Sequence, residues 1–279
     1  MPVSCAVGLP NVGEYGDPLL LVQLAREAEA AGWAGAFVWD HVAYEPGWAV
    51  ADPYMTVAAI AAQTARIRLG VLVSAVARRR PTKLARELAT LDLLSGGRLV
   101  VGAGLGSSAE EQFTAFGEDA DPRVRAQKLD EGLEIVDALW RGEPYEFAGR
   151  HEQVRTTGFL PRPEQRPRPP VWIAGRWPGT RPFRRAARWD GVFPIFADEL
   201  NDANAPVSAL QEVVAYVREQ RGERGGPFDV VIEGASNGPD TALLAPYEQA
   251  GLTWWIEKLG WFRGPLDEMR ERIARGPPA

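Results

Sequence analysis

His41 follows Asp40, so a carboxylate stands beside an imidazole, the side chain that exchanges protons most readily near neutral pH. The pair reads as an acid–base couple, or more plainly as a turn aspartate beside a packed or capping histidine. With only two histidines in the chain, His41 is the leading acid–base candidate. A second constellation is Gly102-Ala-Gly-Leu-Gly-Ser-Ser108. Gly104 and Gly106 can expose backbone N–H groups to a phosphate, and Ser107 and Ser108 add hydroxyl donors; a plain tight turn accounts for the same residues. A dinucleotide fingerprint needs its third glycine at a helix start and an acidic residue about 20 positions on, which these spacings fit badly. Gly175-Arg176 is a further glycine-bearing segment, where Arg176 can fork onto a phosphate, while Arg184 and Arg185 read as a solvated basic face. The small run Ser74-Ala75-Val76 either lets a flat ring approach the backbone or packs in the core.

Other chemistries are poorly supplied. Two histidines and the single Cys5 make poor material for a metal cage, so no metal site is expected and a metal-dependent barrel hydrolase is disfavoured. A net charge of −6 argues against nucleic-acid or anionic-membrane binding. A lone cysteine allows no internal disulfide and fits a cytoplasmic protein. Neither a signal-peptide pattern nor a membrane-length apolar run is expected. Of the ten tryptophans, Trp48, Trp177, Trp254, Trp255 and Trp261 fall at or near strand ends, and two or three of them are expected to line a flat apolar pocket. Glu257 and Lys258 are expected to pair with each other.

The elements that must position these residues follow from apolar periodicity. Val3–Leu9, Ala34–Trp39, Ile67–Val76 and Arg98–Ala103 read as strands, as do Pro170–Ala174, Gly191–Ile195, Phe228–Glu233 and Leu252–Glu257. Helices are predicted over Pro18–Ala31, Pro53–Gln63, Pro81–Ser95, Arg125–Arg141, Arg181–Arg188, Val207–Arg221, Ala242–Ala250 and Leu266–Arg275. Strict alternation implies parallel strands, and eight units close a (β/α)8 TIM barrel, which typically takes about 250 residues. One domain over 1–279 is expected, with a small insertion around 143–169 that holds a hairpin at Pro144–Val154 and a Pro-rich connector. A barrel of this kind carries its site at the strand carboxyl ends.

Trp-Asp-His at 39–41, Thr-Ala-Arg-Ile-Arg-Leu-Gly at 64–70, Arg-Arg-Pro-Thr-Lys-Leu-Ala-Arg-Glu at 79–87 and Thr-Leu-Asp-Leu-Leu-Ser-Gly-Gly-Arg at 90–98 occur in order. Arg-Pro-Arg-Pro-Pro-Val-Trp-Ile-Ala-Gly at 166–175 and Arg-Ala-Ala-Arg-Trp-Asp-Gly at 185–191 follow. With these motifs the chain resembles the bacterial luciferase-like oxidoreductases over nearly its whole length. The resemblance implies a barrel that binds reduced FMN, supplied by a partner flavin reductase, or alternatively the deazaflavin coenzyme F420. It places His41 beside the reactive ring and Ser74, Ala75 and Val76 at a bulge behind it, with a cis peptide expected at Ser74-Ala75. Gly104, Gly106, Ser107, Ser108, Gly175 and Arg176 are implied to hold the cofactor phosphate, and His151 is implied to lie outside the chemistry. The small Ala75 favours FMN, hence a monooxygenase acting on a small organic substrate. The alternatives are F420-dependent hydride transfer and a non-catalytic flavin-binding protein on the same fold. A homodimer is a family expectation.

Overall fold

Each short apolar run forms a strand whose side chains divide between the barrel lumen and a surrounding helix layer. The computed structural model describes residues 2–107, 109–196 and 204–278. The first half contains β1 (Ser4–Leu9), α1 (Pro18–Ala30), β2 (Gly35–Val38), α2 (Pro53–Gln63), β3 (Arg68–Ala75), α3 (Pro81–Leu94), β4 (Leu99–Gly104), α4 (Ala109–Gln112) and α5 (Pro122–Trp140). An antiparallel hairpin, β5 (Tyr145–Ala148) and β6 (Gln153–Thr156), then interrupts the rhythm. The second half runs β7 (Val171–Arg176), α6 (Thr180–Ala186), β8 (Gly191–Ile195), α7 (Val207–Arg221), β9 (Asp229–Gly234), α8 (Thr241–Ala250), β10 (Trp254–Lys258) and α9 (Leu266–Ala274).

Among the described residues, eight parallel strands close in the order β1-β10-β9-β8-β7-β4-β3-β2. The expected (β/α)8 barrel is therefore the observed fold. Its helices start where proline supplies a preset φ at the first turn: Pro18, Pro53, Pro81 and Pro122. Asp17, Asp52 and Asp121 precede three of these, and their carboxylates accept from Leu19, Met55 and Arg123 N–H at 2.9, 2.8 and 2.6 Å. Each such cap stabilises its helix by about 1 kcal/mol.

Inside the barrel, Ala6, Phe37, Leu72, Val100, Trp172, Phe193, Val231 and Ile256 fill the lumen. Phe37, Trp172 and Trp254 interlock there, with ring centroids 5.4 to 6.2 Å apart. Burying Phe37 alone stabilises the fold by roughly 1.5–3 kcal/mol. The lumen is thus a packed core. At the opposite end, Arg98 ties α2 to the β3 entry by donating to the carbonyls of Ala61, Thr64 and Ile67 at 2.8 to 3.0 Å.

The β3–β4 register shifts between Val71 and Ser74, and the cis peptide lies at Leu72-Val73. This corrects the expectation of Ser74-Ala75. Because of the shift, both Leu72 and Val73 pack against the lumen cluster. Ser74 turns the other way, its hydroxyl 2.5 Å from the Tyr54 hydroxyl on α2.

Candidate active site

His41 lies just past β2 at the carboxyl end of the barrel. It lines a cavity of about 280 Å³ together with Asp40, Val42, Val50, Arg78 and Arg79, among others. Its ring meets Tyr44 and Trp39 edge to face, at 5.0 and 5.8 Å. Nδ1 is buried and has no hydrogen-bond partner. Burial holds the imidazole below its ordinary value; nearby Asp40 opposes that shift and Arg78 adds to it. A neutral ring with an uncommitted nitrogen is suited to taking or giving a proton.

The Asp40 carboxylate is committed to structural contacts. Its carboxylate is engaged by Arg79 at 2.9 Å, Arg78 at 3.0 Å and the Ala75 N–H at 2.9 Å, and its side chain is 1% exposed. It clamps the end of β3 to the end of β2 and so positions the backbone that carries His41. Gln112 completes that support. Its side-chain carbonyl accepts from Val42 N–H and Arg78, each at 2.9 Å, and its amide donates to Ala43 O. The sequence offered no cue to Gln112, which belongs to the short α4.

The bulge and glycine loops show what the expected cofactor residues can offer. Ser74, Ala75 and Val76 are all buried, so none presents a side chain to the mouth. Ala75 instead packs with Ala77 and Phe113, which removes the footing of the argument from its size to FMN. Val73 is the part-exposed residue of the bulge, and a Cβ on Gly104 would stand 3.1 Å from it. Gly106 has a φ of +78° and lies so close to Phe113 and Ala75 that a Cβ would crowd both. Arg125 stacks over Phe113 at 4.6 Å and donates to Leu105 O at 3.2 Å, which straps down the same loop. Ser107 is exposed at the rim, and Ser108 lies outside the described residues. Gly175 is explained by packing, since a Cβ would collide with Pro182 of α6. Arg176 follows it, exposed, on the inward face two positions past Ala174.

An aromatic wall forms the opposite rim. Trp39, Tyr44, Trp48, Trp261 and Phe262 meet in a chain of stacked and edge-to-face contacts 4.9 to 6.4 Å apart. A cavity of about 430 Å³ opens among Tyr44, Glu45, Pro46, Trp48 and Trp261. Arg263 anchors the turn that carries Trp261 and Phe262 by donating to Glu257 at 2.6 Å and to Lys258 O at 2.7 Å. Of the five tryptophans expected near the site, Trp48 and Trp261 stand in this wall, and Trp254 lies deeper in the lumen. Trp177 and Trp255 face the helix layer, against Phe183 and Tyr247.

Two further expectations, on Glu257 and Arg185, are corrected. Glu257 does not pair with Lys258. It is fully buried on the outer face and takes donors from Ser236, Trp255, Arg263 and Arg272. Arg185 is not solvated: it is buried and paired with Asp130 at 2.7 Å. His151 sits at the hairpin turn, its ring 2.8 Å from Gln127. Burial pushes the Cys5 thiol up to about 12, so it is an inert core residue. Among the described residues no group of three or more His, Cys, Asp or Glu side chains is placed to hold a metal. No described helix is long and apolar enough to cross a membrane.

The family model for luciferase-like monooxygenases matches residues 8–236. The oxygenase component of a flavin-dependent trigonelline monooxygenase from Acinetobacter baylyi is 30% identical over 58% of this chain and 44% of its own length. An F420-dependent glucose-6-phosphate dehydrogenase from Amycolatopsis mediterranei is 31% identical over 62% of this chain and 52% of its own. The chain thus spans about half the length of these two curated relatives. A monooxygenase from Streptomyces bottropensis has the same fold, with a TM-score of 0.77 and 23% identity over 97% of this chain and 96% of its own. The family match, read with the barrel and its histidine-bearing mouth, makes this chain a member of the luciferase-like monooxygenase family, whose relatives here include both flavin- and F420-dependent oxidoreductases.

Proposed function

We propose that this chain is a flavin-dependent oxidoreductase that works with reduced FMN as a monooxygenase on a small organic substrate. The observation that carries the reading is His41: a neutral, buried imidazole with an unpartnered nitrogen, set beside an aromatic wall. The residues present fit a flat redox ring. Gly8 and Gly104 leave the inner surface without side chains, while Val73 and Trp39 offer apolar faces. Gly104, Val73 and Trp39 would hold the ring; Gly106, Ser107, Gly175 and Arg176 are the rim groups available to a phosphate. When bound, the reduced flavin supplies the electrons for oxygen activation.

The chain's own part is positioning and proton handling. Asp40 and Gln112 fix the backbone on either side of His41, and Trp39 and Tyr44 pack against its ring. His41 Nδ1 exchanges a proton with the reacting molecule, and the aromatic rim keeps bulk water away. A separate reductase delivers the reduced flavin, in keeping with the Acinetobacter relative being named an oxygenase component. The second reading is hydride transfer with coenzyme F420, supported by the Amycolatopsis relative.

Parallel fluorescence titration with FMN and F420, each oxidised and reduced, tests the choice. Selective binding of reduced FMN, with substrate-dependent oxygen uptake, is the expected result. Selective binding of F420 without oxygen uptake overturns the monooxygenase in favour of hydride transfer. Binding of either cofactor with no turnover on any substrate tried would leave a flavin-binding protein on an enzyme's fold.

A further inference from the structure

A carboxylate that the proposed chemistry does not use stands in the same mouth. Val231 of β9 faces the lumen, so the two-residue period of the strand turns Glu233 to the same face one layer nearer the opening. Gly8 locates the carboxyl directly: a Cβ there would lie 3.3 Å from Glu233 Oε1 and 3.0 Å from Ile256 Cγ2, a lumen atom. In the barrel order β9-β10-β1-β2, Gly8 lies between Glu233 on one side and Trp39 on the other, and the Glu233 carboxyl packs over it. The side chain is only part-exposed.

Among the described residues, the other enclosed carboxylates are well supplied with donors. Glu257 takes two from Ser236 and others from Trp255, Arg263 and Arg272. Asp40 has three donors, Asp92 takes two hydrogen bonds from Gln165, and Asp229 takes bonds from Trp172 and Thr253. Among the described residues no N–H or O–H donates to Glu233; the charge acting on it comes from Lys258, on the same inward face of β10. Burial raises its pKa, as expected of a carboxyl without donors. A part-exposed carboxyl that takes no protein donor keeps its acceptor oxygens available to a ligand.

We propose that Glu233 is a specificity-determining residue whose carboxyl accepts a hydrogen bond from an N–H or O–H on a flat organic substrate lying at the mouth between Glu233 and Trp39, both of which are part-exposed. The inference rests on the mouth being the substrate site of the proposed oxidoreductase. It adds a requirement on the substrate: an apolar, planar body with a donor at its edge. A molecule with the same body but no donor would leave the carboxyl buried and unpaired, which is how a polar site rejects analogues.

The test uses the full chain, its E233L and E233Q variants, and two probes, benzamide and N,N-dimethylbenzamide, with binding followed by quenching of tryptophan emission, with and without FMN. Wild type should prefer benzamide by about ten- to a hundred-fold, the range for one hydrogen bond to a charged group. E233L should lose that preference by weakening benzamide alone. E233Q should keep part of it, because its carbonyl still accepts. The melting temperature of E233L should equal or exceed that of wild type, as expected when an unmade acceptor is replaced by an apolar group. Equal binding of the two probes by wild type overturns the proposal, as does no binding at millimolar concentration, unchanged discrimination in E233L, or a clearly lowered melting temperature in E233L. Loss of FMN binding by E233L with probe discrimination intact also overturns it, by moving Glu233 to the cofactor. Failure of wild type to bind FMN or F420 overturns the cofactor reading instead, and the probe comparison without FMN is still decided on its own result.

Discussion

Replacing Asp40 by alanine should unfold the mouth before it touches the chemistry. The carboxylate is 1% exposed and engages two guanidiniums, on Arg78 and Arg79, whose side chains are 7% and 21% exposed. It also accepts the Ala75 N–H at 2.9 Å. Without it, two largely buried cations and a buried amide lose their acceptor. Breaking a buried ion pair from one side typically costs about 3–5 kcal/mol. The lower part of that range applies, because Arg78 keeps Gln112 and Arg79 keeps its position over the Tyr54 ring at 4.5 Å. For a chain of this size about 3 kcal/mol corresponds to a fall of roughly 5 °C in melting temperature. Asp40→Asn keeps one acceptor oxygen and the shape, so it should lose about half as much. Differential scanning calorimetry of both variants reads this directly. A melting temperature for Asp40→Ala within about 2 °C of wild type would refute the clamp and return Asp40 to a role in the chemistry.

Three further expectations follow from the same geometry. His41→Ala should lower turnover by about 10²-fold or more while changing FMN affinity little, since its part is proton handling; equal losses in both would make it a cofactor ligand. Burial keeps His41 below its unfolded value of about 6.5, so the imidazole's contribution to stability is complete above that pH and is lost as the pH falls from there through the folded value. Wild type should therefore lose stability over that acidic window more steeply than His41→Ala, and identical slopes in pH-dependent urea unfolding would contradict the assignment. Gly106→Ala puts a Cβ 2.9 Å from that of Ala75 at a φ of +78°, whereas Gly47→Ala, at +82°, meets no atom within 4 Å. The first should cost clearly more than the roughly 1 kcal/mol of the left-handed backbone alone and should weaken FMN binding, while the second should do neither; equal costs in chemical denaturation would refute the crowding.

The barrel was readable because its signals are local and repeated. Pro18, Pro53 and Pro81 mark their helix starts, and near-continuous apolar runs such as 67–76 mark buried strands. The start at Pro122 was placed three residues late, at Arg125, although Asp121-Pro122 carries the same cap signal. Four-residue α4 has no period to read and was missed, and Gln112 with it. The motifs that gave away the family include much that supports the fold alone: Arg98 closes the end of the barrel opposite the site. Within the site, glycine is ambiguous in sequence, since Gly104 makes room for Val73 of the bulge whereas Gly175 makes room for Pro182 of a helix. The bulge was displaced by two residues because a register shift depends on the β3–β4 pairing, which no single strand encodes. Glu233 ends the predicted strand Phe228–Glu233, where a barrel site is expected, but the donors it lacks and its packing over Gly8, two strands away, depend on tertiary structure.

The central claim is that the carboxyl-end mouth, bounded by Val73, Gly104, His41 and Trp39, holds the flavin ring. Val73→Trp tests it most directly, because Val73 is the part-exposed residue of the bulge over Gly104 and a larger ring there obstructs the mouth without removing any hydrogen bond between side chains. FMN titration of this variant, with circular dichroism confirming its fold, should show affinity lower by at least about tenfold, equivalent to 1.4 kcal/mol. A folded Val73→Trp protein that binds FMN as wild type does would contradict the account and place the cofactor elsewhere.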